Sequence, residues 1–184
     1  MRAATERQYC TTCGSTESMD HILTHCQSPP VRQIWSLARR TWPHRNIPWP
    51  EINLGTILGC GCLSTTHTAN VNNQNRDRNN KTHLKGASCL LQILISESAY
   101  LIWVLHYERV IQEKPHNNQE IRSRWLSMIN SRLTDDKIIA SKIKRNKGFT
   151  NLVINTWEKV LSKDRDLPNE WIHMREVLVG SRAG

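Results

Sequence analysis

The sequence predicts an all-α protein in which a small Cys/His unit precedes a helical bundle built on one long central helix. Three observations predict it. Apolar residues recur at helical spacing through most of the chain beyond residue 84, no stretch keeps the strict alternation of a half-buried strand, and Cys10, Cys13, His21 and Cys26 crowd together ahead of the first helix. With 184 residues, 38% of them hydrophobic and 22% charged, the chain is sized for one domain, or one domain with a small appendage. Disordered, collagen-like and mucin-like classes are excluded, and no internal repeat is present.

The elements follow in order. Residues 10–26 form the compact Cys/His unit, with residues 20–26 as its helix. Residues 29–42 read as an amphipathic helix with Val31, Ile34, Trp35, Ala38 and Trp42 on one face, stopped by Pro43. Pro43, Pro48 and Pro50 keep the next stretch extended, up to the short apolar piece 52–58. Residues 64–82 hold six Asn and few apolar side chains, and are expected to be a flexible surface loop. Over 84–113 the apolar positions, among them Leu91, Leu94, Ile95, Leu101, Ile102, Leu105 and Val110, nearly encircle the axis, so this helix should be central, buried and roughly 40 Å long.

Pro115, Asn117 and Asn118 end that helix, and two more are expected over 120–133 and 135–145. The second would start at Thr134 as N-cap, with Asp135 and Asp136 against the helix dipole. A last helix covers 152–161, followed by a turn at 167–171 anchored by Trp171. Three segments result: a Cys/His unit with its trailing helix over 1–45, a Pro-containing and Asn-rich stretch over 46–83, and a helical domain over 84–184.

The formal charge is +9, which makes nucleic acid the leading class of partner. The most apolar stretch, 89–105, is interrupted by Gln92, Ser96, Glu97 and Ser98, so no membrane role is expected. The first ten residues have no apolar stretch and include Glu6 and Arg7, so neither a secretory signal nor an anchor is expected there. Six cysteines then fit a reducing compartment, and an intracellular location in nucleus or cytoplasm follows.

Cys10, Cys13, His21 and Cys26 make a C-x2-C-x7-H-x4-C array. Two thiolates three residues apart grip one ion from a tight turn, here followed by Gly14, while a second pair arrives from a helix; such soft and borderline donors suit Zn2+. His25 lies one helical turn after His21, so it competes with Cys26 for the fourth position. Four protein donors leave no open coordination position, so the expected role is structural. Three thiolates with one Zn2+ leave a net −1, so the metal itself would not attract anions.

The string CTTCGSTESMDHILTHC followed by IWSLARRTW resembles the reverse-transcriptase zinc-binding domain that follows the polymerase and ribonuclease H regions of non-LTR retroelement proteins. It is most similar to the version in fungal retroelement-derived proteins, where segments like INLGTILGCG, LISESAYLIWVLHYERVI, RWLSMINSRLTDDK and LPNEWIHMREVLVG follow. The likeness spans nearly the whole chain except the Asn-rich insert and the basic stretch after Ile143. It implies that Cys10, Cys13, His21 and Cys26 take the four ligand places.

No Tyr-x-Asp-Asp pair and no dispersed carboxylate set for two Mg2+ ions is present, so no polymerase, ribonuclease H or other enzyme activity is expected, and no small-molecule substrate. Cys60 and Cys62 with Cys89 and His83 are weighed as a second metal site against thiols buried in a Gly-rich turn. Ser96, Ser98, Glu97 and His106 lack a nucleophile elbow and read as a polar notch in a buried helix. Trp35, Trp42, Trp103, Trp125, Trp157 and Trp171 are assigned to the core, leaving Trp49 open to a partner. Lys137, Lys142, Lys144, Arg145 and Lys147, in a stretch without an acidic residue, are the candidate contacts to RNA or DNA phosphates, against a merely solvated face. The resulting expectation is a non-catalytic, zinc-binding, nucleic-acid-binding module. The alternative is a structural or protein-interaction domain, including a retroelement remnant without function.

Overall fold

The computed structural model describes residues 8–65, 78–143, 147–162, 167–168, 171–174 and 176–180. Five α-helices carry the fold: α1 (Pro29–Thr41), α2 (Leu54–Leu58), α3 (Arg78–Ile111), α4 (Asn118–Lys142) and α5 (Lys147–Trp157). Among the described residues no strand forms, and β-pairing is confined to isolated bridges of Tyr9 with Thr16 and Leu161 with Val179. The all-α class and the long helix after the Cys/His unit are therefore as the sequence predicts.

α3 is the axle. Leu90, Leu94, Ile95, Ile102 and Leu105 are buried along it, and α1, α4 and α5 pack around it. It starts at Arg78, inside the stretch expected to be a loop; residues 66–77 of that stretch lie outside the described residues. Thr82–Ile111 is long and apolar enough to cross a bilayer, against the sequence count, yet 61% of its most apolar window is buried within the protein. At Gly86 the α5 backbone comes so close that a Cβ would stand 2.6 Å from the carbonyl of Asn155, which only glycine permits. The helix ends where Glu113 takes φ 55°, a left-handed conformation that lets the Lys114 N–H bond back to the Glu108 carbonyl.

α4 corrects the expected break at Leu133. Asn117 caps it by accepting from the Glu120 N–H at 2.8 Å, and the helix then runs through Thr134 without interruption. The Thr134 hydroxyl donates to the Asn130 carbonyl of the preceding turn rather than capping a new helix. Asp136 is not a first-turn carboxylate either. It is buried and accepts from the Trp157 indole N–H at 2.9 Å, which joins α4 to α5.

The other tryptophans show how this core accommodates polar atoms. The Trp125 indole donates to Ser98, the Trp35 indole to the Leu23 carbonyl and the Trp42 indole to the Ile47 carbonyl, so each of these three rings has its N–H satisfied. Trp103 departs from the core assignment: it is 42% exposed and stacks beside His106. Trp49, expected to be open, is instead half-buried, edge-on against Trp42. One continuous apolar cluster runs from Cys10 and Leu23 through Ile34, Leu94 and Trp125 to Trp171 and Val179, so the three segments read in the sequence share a core.

Candidate metal centre

The N-terminal unit is assembled from two tight local folds. In the first, the Gly14 N–H bonds to the Cys10 carbonyl and the Cys10 N–H to the Ser15 carbonyl; Gly14 holds φ 69°, so the chain reverses within five residues and brings Cys13 back beside Cys10. In the second, His21–His25 is a single π-helical turn closed by the Cys26 N–H on the His21 carbonyl at 2.7 Å. That turn decides which side chain completes the cluster. Residues five apart on an α-helix point roughly 140° away from each other, whereas the wider i to i+5 turn returns Cys26 to the side of His21. His25 faces out, 66% exposed, between Thr24 and Asp20, and takes no part in the cluster.

One ligand atom from each of Cys10, Cys13, His21 and Cys26 lies within 4.8 Å of all the others. Cys26 Sγ is 3.7 Å from Cys10 Sγ and 3.9 Å from Cys13 Sγ. Two thiolates at about 2.3 Å from one tetrahedral zinc stand about 3.8 Å apart, so these spacings fit the ion. His21 Nε2 is buried without a hydrogen-bond partner, a costly state for a ring nitrogen that has no Lewis acid to bind. Burial opposes ionisation of Cys10, but the adjacent His21 ring, the backbone N–H groups at Thr12 and Cys13, and Cys26 outweigh it and lower its thiol to about 6. Burial raises the Cys26 thiol; hydrogen bonds with Ser28 pull against this, and neighbouring Cys10 adds to the rise. The Gln27 N–H donates to Cys13 Sγ at 3.2 Å, the kind of outer contact that orients a ligand.

The unit is fastened to α3 by contacts that no local motif announces. Arg109 donates to the Thr12 hydroxyl at 2.9 Å, and His106 Nε2 lies 3.6 Å from the half-buried Glu17. Burial lowers the pKa of His106, with Glu17 opposing and Arg109 adding to the fall.

The other candidates disperse. Cys60 and Cys62 share a short 3-10 turn in which Cys62 is exposed, Cys89 lies beside Thr156 with its thiol raised by burial, and His83 faces Glu158 at 3.9 Å. Ser98 is fully buried under Trp125, while His106 is turned to Glu17.

The basic segment needs one correction. Lys137 is only 7% exposed, and its ammonium donates to the Met174 carbonyl, so it pins the C-terminal segment to α4 and is not available to phosphates. Burial lowers its pKa. Counting charges along the sequence missed this because Lys137 falls in phase with the buried Leu133, Asp136 and Ala140. Lys142 and Lys147 are exposed, and Lys144 and Arg145 lie outside the described residues. Comparison with protein-family models, with curated proteins and with solved structures gives no match to this chain.

Proposed function

We propose that this chain is a zinc-stabilised, non-catalytic nucleic-acid-binding module of the type that follows the enzymatic regions of retroelement-derived reverse transcriptases. The observation that carries the reading is the convergence of Cys10, Cys13, His21 and Cys26 within 4.8 Å of one another, with the four donors drawn from the array that resembles that family. The +9 charge supports the choice of partner. Zinc, when bound, supplies bonds that lock the Cys10 turn to the π-helical turn. The chain's own residues supply the rest: Arg109 and His106 hold that unit to α3, and exposed cations face the solvent.

Two measurements test it. Native mass spectrometry of the purified protein should find one zinc per chain, retained in His25→Ala and lost in Cys26→Ser. Labelled RNA and DNA should bind with little sequence preference and an affinity that falls steeply with salt. No zinc, or no binding to either polymer at low salt, overturns the respective half of the proposal.

A specific observation favours the second reading, a protein-interaction domain. Tyr100, Trp103, Tyr107 and Ile111 recur at helical spacing and leave an exposed aromatic face on α3. Concentration-dependent sedimentation that Trp103→Ala abolishes, in a protein that ignores nucleic acid, would favour it.

A further inference from the structure

The structure assigns the phosphate-binding face to α1: we infer that Arg32, Arg39 and Arg40, with Arg45 just beyond the helix, grip the backbone of a nucleic acid strand. This rests on the nucleic-acid reading above and names its surface.

The first observation is helical phase. Val31, Ile34, Leu37, Ala38 and Thr41 are buried on one side of α1, while Arg32, Ser36, Arg39 and Arg40 are exposed within an arc of roughly 100° on the opposite side. From Arg32 to Arg39 the helix rises about 10 Å, the length of about three nucleotides of a B-form strand at 3.4 Å each. The row is held on a rigid support, because α1 packs against both α3 and α4 and follows directly from the metal centre.

The second observation is that these cations have no internal use. None of Arg32, Arg39, Arg40 and Arg45 makes a side-chain hydrogen bond or ion pair among the described residues, whereas Arg109 is engaged by Thr12, Arg124 by Glu108 and Arg132 by Asp136. Residues 21–50 contain no Asp or Glu at all. A solvated helix face is ordinarily laced with both signs, as are the pairs around Glu108. Arg39 and Arg40 complement the C-terminal end of the α1 dipole, but Arg32 sits in the first turn, where that dipole disfavours a cation. Its placement therefore has no stabilising explanation within the helix.

The third is chemical type. All four are arginines, with no lysine between residues 21 and 50. The guanidinium fork matches phosphate oxygens bidentately and sheds water more readily than an ammonium.

The test compares three proteins of checked thermal stability: wild type, the triple variant Arg32→Gln, Arg39→Gln, Arg40→Gln, and the double variant Lys142→Gln, Lys147→Gln. Each is titrated with labelled single-stranded RNA, duplex RNA and duplex DNA across a salt series, and with phosphatidylserine vesicles. The expected result is that the triple variant lowers the slope of log affinity against log salt by about two units on a single strand or about three on duplex DNA. The double variant should change it by less. The corresponding triple Arg→Lys variant should keep the wild-type slope, which separates lost charge from lost fold. Wild-type binding that the triple Gln variant leaves unchanged overturns this face while sparing the nucleic-acid reading. Wild-type failure on all three polymers, or binding confined to vesicles, overturns both.

Discussion

The tie between α3 and α4 at Glu108 makes stability depend on pH in a direction that can be worked out. Arg124 donates to both carboxylate oxygens of Glu108, at 2.6 and 2.9 Å, and His116 Nε2 stands 2.6 Å from one of them. The Arg124 hydrogen bonds lower the Glu108 pKa most, burial opposes them, and His116 adds to the fall, so the carboxyl is held at about 2 rather than 4.5. A folded pKa below the unfolded one means that the contribution is complete above about pH 4.5 and disappears as the pH falls through about 2. At about 1.4 kcal/mol per unit the gap sets an upper bound near 3.4 kcal/mol. Solvent reaches both partners, with 30% of the Arg124 side chain exposed, and screening reduces the figure to about 1–2 kcal/mol. For a chain of this length that is a fall in Tm of about 2–8 °C for Glu108→Gln at pH 7. The assay is a double-mutant cycle over Glu108→Gln and Arg124→Gln by urea denaturation at pH 7, repeated at stepwise lower pH. Any acid-induced loss of metal affects all four proteins alike and cancels in the cycle. A coupling near zero at pH 7, or one that stays undiminished down to pH 2.5, would refute the reasoning.

Gly86→Ala should destabilise by about 1–3 kcal/mol, read as a lower urea midpoint, because its Cβ meets Asn155 backbone atoms that have nowhere to move. Glu113→Gly should raise Tm by a few degrees, since glycine adopts the left-handed conformation after α3 at roughly 1 kcal/mol less cost. Leu101→Asp, placing a carboxylate at a position only 4% exposed, should cost several kcal/mol and abolish cooperative melting; a soluble, sharply melting variant would show that this side of α3 is not core.

Much of this architecture was legible because it is written in local periods. The α1 helix stops at Thr41, just before Pro43, and the apolar encirclement of α3 translates directly into a buried axle. Long-range pairing was not legible. Asp136 looked like a helix start because the sequence cannot show that Trp157 will supply its hydrogen bond from 21 residues away. Lys137 looked like a free cation for the same reason. In the Cys/His cluster the sequence favoured Cys26 over His25 on thiolate chemistry, and the π-turn supplies the geometric reason, bringing Cys26 back to the side of His21. The α1 arginines were in plain view; what set them apart was that they have no side-chain partner among the described residues, a property only three dimensions disclose.

The order in which this core is laid down bears on biosynthesis. The donors that the Cys10–Cys26 turns bring together all lie within one short stretch of chain, so they can meet without the later helices. The apolar side of α1 has no such neighbour. Ile34 and Ala38 are wholly buried, and α1 packs against α3 and α4, the latter starting only at Asn118. At about 5–20 residues per second, those roughly 80 further residues take several seconds to emerge. Through that interval the nascent chain carries an amphipathic helix whose oily side has no cover, a natural handle for a co-translational chaperone.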